Sequence, residues 1–548
     1  MKAAYLSRRS FIELNARERA KSLLDEGSFE ELLGPFDRLK SPWLVAQGVV
    51  PQSDDGLVIA RGAIDGNRTI ILAIEGKFQG GSIGEVSGAK IACALDLARQ
   101  DNEAGQPTYA ILLLETGGVR LQEANLGLAA IAEIQSSIVA LRRHVPVIGI
   151  VAGMVGCFGG MAISAGLCSY LIVTREARLG LNGPEVIEQE AGIDEFDSTD
   201  RQLIWSVTGG QRRFETGFAD HLMKDDVAAI GAAIRTTFKR GVPPIHRSLE
   251  VERHLRLLAE VSPAAHLEAV GSTSKAAASR GFRSRGQIWF EALAGLQNQG
   301  SDGIGSVLVG DAVLGKDLVR YLAVVPYPQN RFPRARSGEV GLEEGWTLAK
   351  HIREVIDEGQ PCPIVAIVDV PSQAYGRCEE EFGIFLACAA AANAYADARL
   401  AGHPVVSLIV GRAFSGGFLA HGYQSNRILA FEDSKVVVHA MGKQAAARVT
   451  KRSVSELDEL AGKVFPLSYD IRTYAQLGIL YQLIHGVNPE APAATDVAKV
   501  REALERAVAD ARSGPRDLSN RLDNPEAQQT RKASIKVRQL LTLQWRNR

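Results

Sequence analysis

The chain has 548 residues, 46% of them apolar and 23% charged, with a net charge of −1. Its length calls for about two to four domains, and its near-neutral charge offers no footprint for nucleic acid or an anionic membrane. The first residues, "MKAAYLSRRSFIELNARERAK", lack the apolar centre of a signal peptide, and no run of about 18 apolar residues suggests a membrane span, so a cytoplasmic protein is expected.

Helices and loops are expected up to about Pro51. "LVIARGAI" and "TIILAIEG" then read as strands around the turn signal Asp65-Gly66-Asn67. A helix follows over about Gly84 to Arg99, then the buried strand "TYAILLLE" and a long amphipathic helix from Leu121 to Arg143. Pro146 opens another strand, followed by Gly159-Gly160, a helix and the strand "YLIVT". The second half repeats this order. "SVLVGDAVLGKDLVRYLAVVPY" is a hairpin, Leu342 to Glu358 a helix, "PIVAIVDV" a buried strand and Glu379 to Leu400 an alanine-rich helix. Pro404 opens the next strand, then come Gly416-Gly417, a helix and "RILAF". An internal duplication of an α/β unit accounts for the matching order.

The polar, basic stretch Glu268 to Gly286 has linker composition. The basic segment after Ser513 suits either a docking helix or partial disorder. Six cysteines (Cys93, Cys157, Cys168, Cys362, Cys378, Cys388) form no CxxC pair, which argues against a zinc ribbon and for reduced thiols packed as small hydrophobes.

Each half places two loops at strand ends, each feeding a helix. They are Thr116-Gly117-Gly118-Val119 and Gly159-Gly160 in the first half, and the loop to Gly376 and Gly416-Gly417 in the second. A glycine there lets the backbone approach a ligand, and the unpaired N–H groups at a helix start can receive a developing oxyanion. One isolated Gly-Gly pair is explained as well by close helix packing; four loops in matching order favour the functional reading.

"LNARERAKSLLDEGSFEEL", "GKFQGGSIGEVSGAKI", "ETGGVRLQEA", "GCFGGMAISAG" and "LGLNGPEVIEQ" resemble, in order, the β-type carboxyltransferase subunits of acyl-CoA carboxylases. "DVPSQAYGRCEEE", "GRAFSGGFLAHG" and "VVVHAMGKQAAARV" resemble the α-type partner. The zinc ribbon of the bacterial β-type subunit and the biotin-attachment motif are missing, and "PSQAYGR" stands where biotin-binding relatives have PGxxPG. With these departures the chain resembles fused β and γ subunits of biotin-independent malonate decarboxylase. That resemblance implies tandem crotonase-like domains of repeated ββα units with helical extensions. It implies a β-type domain over residues 1–270, a linker over 271–286, a γ/α-type domain over 287–512 and a basic tail over 513–548. It implies decarboxylation of a malonyl thioester to an acetyl thioester and CO2. The substrate would ride on a dephospho-CoA-derived arm of a partner acyl-carrier subunit, with an acyl-carrier transferase subunit in the same complex, no cofactor bound by this chain, and a homo-oligomer open.

Loss of CO2 leaves an enolate, whose oxygen needs preorganised donors. By resemblance, the first half (Gly117, Gly118, Val119, Gly159, Gly160) takes the thioester oxygen. The second half (Gly376, Gly416, Gly417) takes the carboxylate or CO2. Candidate proton donors are His439, Tyr375, Cys378, Ser415 and water. A histidine closing the apolar run "KVVVHAMG" is most often structural. Nothing in the sequence lowers the Cys378 thiol, and a serine at Ser415 commonly caps a helix. Arg120 and Arg377 suit loop anchoring through Glu123 and Glu380 better than ligand binding.

Three rivals remain at this level. A biotin-dependent carboxyltransferase uses the same oxyanion logic. A serine hydrolase is suggested by "AFSGG", although Ala413 stands where the elbow's first glycine belongs. A scaffold would bind a carrier without turnover. "GEVSGAK" lacks P-loop spacing.

Overall fold

The computed structural model describes residues 8–263, 283–295 and 304–547. The expected linker 271–286 lies outside them up to residue 282, and its last two residues, Arg285 and Gly286, already belong to the helix Arg285–Ala294.

Each half is built on one twisted sheet. In the first, β1 (Glu30–Leu32), β2 (Leu57–Ile64), β3 (Asn67–Ile74), β4 (Tyr109–Leu113), β5 (Val147–Val151), β6 (Tyr170–Thr174) and β7 (His221–Met223) lie side by side in chain order. β2 and β3 pair antiparallel around Asp65-Gly66, both at positive φ, the geometry that a two-residue hairpin turn demands. From β3 onward every pairing is parallel. β4, β5 and β6 are almost wholly buried, as strands covered on both faces must be, and their Val/Ile/Leu runs reflect it.

The second sheet repeats the plan with β8 (Val307–Leu314), β9 (Asp317–Val324), β10 (Ile364–Val370), β11 (Val405–Phe414), β12 (Arg427–Phe431), β13 (Val437–His439) and β14 (Gln482–Ile484). β8 and β9 form the antiparallel hairpin; the remaining pairings are parallel, with β13 set beside the end of β11. The expected strands and their order are present in both halves. The short strands β1, β7, β13 and β14 were not expected: at three residues each they carry too few alternations to register as a pattern.

Two helical expectations change. The helix expected over Glu379–Leu400 is two helices, Arg377–Glu381 and Ile384–Ala401, broken at Gly383. Gly383 has φ +77°, and the Phe218 ring occupies the space a Cβ would need. The segment Leu121–Leu141 is long and apolar enough to cross a membrane by composition, but 94% of its 18-residue apolar stretch is buried inside the protein. It is the central helix Ala124–Leu141, packed between Glu85–Glu103 and the second half's Ile384–Ala401.

Small residues let the halves touch closely. A Cβ on Gly166 would stand 2.9 Å from the Ala389 methyl, so the helix Gly160–Leu167 rides directly on the alanine-rich helix Ile384–Ala401. Polar clamps add direction: Arg142 donates to Asn393 Oδ1 at 2.6 Å and Arg399 to Ser136 Oγ at 2.8 Å. The basic tail ends in the helix Lys532–Arg546, which docks on Glu85–Glu103 of the first half. There Arg531 and Arg538 grip the buried Glu133 carboxylate at 2.8 and 2.7 Å.

Candidate active site

One cavity of about 350 Å³ opens between the two halves. The first half contributes Gly117, Val119, Gly159, Gly160 and the Leu181–Gly183 turn; the second contributes Gln373, Tyr375, Ser415, Ala440 and Met441. Glu185 is the only charged side chain in its wall among the described residues.

Strand register shows how the repeat builds this wall. Past the end of the first sheet, Thr116, Cys157 and Leu179 form a parallel row. In the second half Val370, Ala413 and Val438 form the same row. The loop bridges agree: Ile83 pairs with Val119, and Val340 with Gln373. Val119 therefore corresponds to Gln373, and Gly160 to Gly416. Gly159, at φ +60°, corresponds to Ser415, at φ +56°. The sequence-level pairing of Gly159-Gly160 with Gly416-Gly417 is out by one residue, because a serine has taken the left-handed position that glycine fills in the first half.

The backbone donors then separate. Gly117 N–H donates to Gly80 O at 2.9 Å, Gly118 N–H to Thr116 Oγ1 at 3.0 Å and Gly159 N–H to Leu181 O at 2.9 Å. These three, expected to be oxygen ligands, instead shape the loops. Val119 and Gly160 N–H have no partner among the described residues, and both residues line the cavity. In the second half Gly416 N–H donates to Gln373 Oε1 at 2.9 Å. Gly376 and Gly417 are buried and stand outside the cavity wall. The expected second-half grip through Gly376, Gly416 and Gly417 is thus not displayed to the cavity.

The side-chain candidates divide likewise. Tyr375 lines the cavity near Ser372 and Ser415, and burial pushes its phenol up to about 12. Ser415 lines it too; it is the first residue of the helix Ser415–Ala420, whose N-cap is Phe414, so it does not hold the expected capping position. Its strand-to-helix turn is the backbone position of a nucleophile elbow, but no histidine pairs with it among the described residues. His439 stands outside the cavity wall. Its Nδ1 is 2.9 Å from Met441 O, Tyr469 stacks on it with ring centroids 3.8 Å apart, and burial lowers its pKa to about 4. It is a neutral, structural imidazole. Cys378 is buried, and burial pushes its thiol well up.

Arg120 is fully buried between Asp55 at 2.7 Å and Glu123 at 2.8 Å, anchoring its loop as expected. Arg377 pairs with Glu381 at 2.8 Å, not with Glu380. Glu380 instead accepts Asn182 N–H at 2.6 Å and Leu181 N–H at 3.2 Å, with Arg213 at 3.2 Å. Asn182 in turn donates to Ala374 O at 2.9 Å and accepts from Gln373 Nε2 at 2.8 Å. This network joins the halves beneath the cavity. Asn182 and Gln373 lay inside motifs already singled out, but only the cross-half pairing shows their use. Lys90, in the P-loop-like stretch, is spent on Leu57 O at 2.7 Å and Asp54 O at 3.0 Å. No cluster of His, Cys, Asp or Glu suited to a metal occurs among the described residues.

Comparison with known proteins divides at the same boundary. Residues 13–247 match the carboxyl transferase domain model, and residues 335–545 the model for the malonate decarboxylase gamma subunit. The malonyl-S-ACP:biotin-protein carboxyltransferase MADC of Malonomonas rubra is 44% identical over 232 residues, 40% of this chain and 73% of that protein. MADD, of the same description and organism, is 34% identical over 219 residues, 38% of this chain and 74% of that protein. A crystallised Pseudomonas malonate decarboxylase hetero-tetramer, in complex with malonate, contains a chain 61% identical to this one. The match covers 48% of this chain and 96% of that one, with a TM-score of 0.48.

Proposed function

We propose that this chain, which belongs to the malonate decarboxylase branch of the carboxyltransferase family and carries both halves in one polypeptide, decarboxylates a malonyl thioester without biotin. The observation that carries this reading is the pair of N–H groups, Val119 and Gly160, that have no partner among the described residues and face a cavity with no cationic side chain in its described wall. A malonyl carboxylate bound there finds no counter-ion, whereas an oxygen that gains charge as the bond breaks finds two donors. Stabilisation then grows along the reaction, which is what accelerates it. One such donor is worth about 2.7–4 kcal/mol.

The thioester oxygen faces Val119 and Gly160. The bond between C2 and the carboxylate carbon breaks, its electron pair passes to the thioester oxygen as the enolate, and neutral CO2 departs. Tyr375 gives its hydroxyl proton to C2, forming the acetyl thioester, and recovers a proton from solvent through Ser415. Its high pKa keeps it protonated at neutral pH. The thioester arrives on the dephospho-CoA-derived arm of a separate carrier subunit, in a cytoplasmic complex that also holds the transferase loading that carrier. The cavity opens on the surface beside Gln79 and Thr450.

The second reading, carboxyl transfer to a biotin protein, is favoured by the printed names of the two Malonomonas relatives. Purified chain is offered malonyl-carrier protein with neither biotin nor ATP. CO2 and acetyl-carrier are expected in equal amounts; CO2 or transfer appearing only once a biotinylated protein is added would give the second reading preference.

A further inference from the structure

The two repeats present the same backbone frame with different occupants. In the first, residue 119 is valine, whose side chain cannot accept a hydrogen bond, and Gly160 N–H is open to the cavity. In the second, the equivalent residue is Gln373. Its carboxamide oxygen folds back onto Gly416 N–H at 2.9 Å, while its Nε2 donates to Asn182 Oδ1 at 2.8 Å. Gln373 and Gly416 are both buried, and Gln373, not Gly416, forms the cavity wall. An internal carbonyl therefore sits where a ligand carbonyl would be held if the second repeat worked as the first does. Both ends of the carboxamide are fixed, and a buried amide held at both ends is costly to displace.

We infer that Gln373 determines specificity by filling the second oxygen-binding position from within, so that no second carbonyl is held facing the first and the carboxyl group leaves as CO2. The part concerning the carboxyl group's fate rests on the malonyl-thioester reading above; the closure itself does not. The acceptor class excluded is a cyclic urea such as biotin, whose ureido oxygen would need that N–H. Transfer would otherwise run as follows: the ring nitrogen attacks the departing carboxyl carbon, a new N–C bond forms, and the ring N–H proton ends on C2 of the acetyl thioester.

The test uses the full chain as wild type, Gln373→Val and Gln373→Glu. Valine copies the open first repeat; glutamate retains an oxygen able to receive Gly416 N–H. Binding of tritiated free biotin is measured by equilibrium dialysis, and carboxyl-labelled malonyl-CoA is followed into CO2 or carboxybiotin. Gln373→Val is expected to bind biotin about tenfold more tightly than wild type, the effect of one regained hydrogen bond, and to divert label into carboxybiotin. Wild type and Gln373→Glu should do neither. The inference is overturned if wild type binds biotin as well as Gln373→Val does, or if Gln373→Val, shown folded by an unchanged far-ultraviolet spectrum, binds no better than wild type. If wild type releases no CO2, the malonyl reading fails, while the dialysis still decides whether Gln373 closes the position.

Discussion

The Glu380 carboxylate of the second half accepts the Asn182 backbone N–H of the first half at 2.6 Å. The same carboxylate holds Leu181 N–H and the buried Arg213 guanidinium at 3.2 Å each. One side chain thus fixes the turn that forms a cavity wall and neutralises a cation with no route to water. Removing one partner of a buried pair strands the other charge, at a cost of about 3–5 kcal/mol. Glu380→Ala is expected to lose stability on that scale in a denaturant titration. Glu380→Gln keeps an acceptor for Asn182 and should lose less, while raising KM through the loosened Leu181–Gly183 turn. Equal stability of the alanine variant and wild type would contradict this role.

Much of this architecture was legible in the sequence because the parallel strands are fully buried and therefore continuously apolar, and because proline and glycine punctuate both repeats. The candidate site was legible only to the level of the loop. Four glycine-bearing loops reach the cavity or its surroundings, but hydrogen bonds tie up Gly117, Gly118, Gly159 and Gly416 N–H and leave Val119 and Gly160 as the open donors of the first half's two loops among the described residues. Which amide is free depends on carbonyls far away in sequence, such as Gly80 O and Leu181 O, and periodicity carries no trace of them. The one-residue offset between Ser415 and Gly159 was hidden for a related reason. Identical dipeptides invite alignment by identity, whereas the strands align by register.

Gly160 has no room for a side chain. A Cβ there would stand 2.7 Å from Leu419 Cδ1 and 3.1 Å from Ile131 Cγ2. Gly160→Ala should therefore cost about 1–3 kcal/mol of stability by overpacking, and lower kcat by moving an N–H off the oxyanion. Because the clash is with a side-chain end from the other half, Leu419→Ala in the same chain should be non-additive with it. A double-mutant cycle is expected to show coupling of about 1 kcal/mol or more; strict additivity would place the two residues out of contact.

Tyr375 as proton donor predicts a kcat effect without a folding effect. Tyr375→Phe removes only the hydroxyl and should lower kcat by about 10²–10⁴-fold, with KM little changed. Since burial holds the phenol at about 12, kcat should show no alkaline limb from Tyr375 through neutral and mildly basic pH. His439, held neutral, should contribute no limb near pH 6.5, its ordinary value. Ser415→Gly is expected to melt at or above wild type, because glycine relieves a left-handed backbone worth about 1–3 kcal/mol of strain. A fall in kcat in that variant would trace to the lost hydroxyl beside Tyr375.

The tail helix makes an acid-sensitive clamp. Burial opposes ionisation of Glu133, but Arg531 and Arg538 more than offset it and hold the carboxyl at about 2, below its ordinary 4.5. A folded-state value below the unfolded one means that the stabilisation is fully present above the unfolded pKa. It fades as pH falls from about 4.5 toward 2. The full effect corresponds to about 3 kcal/mol. Wild type should therefore lose stability steeply across that window. Glu133→Gln should start lower at neutral pH and show a flatter acid limb, since its amide cannot ionise. Truncation after Ser513 removes both arginines together with the tail segments that cover Glu133 and pack on the helix Glu85–Glu103. It should destabilise the protein across the whole pH range and abolish the part of the acid limb that the clamp contributes. Thermal melts of the three proteins across the acid range check the order, and parallel acid limbs for wild type and Glu133→Gln would show that the clamp is not what titrates.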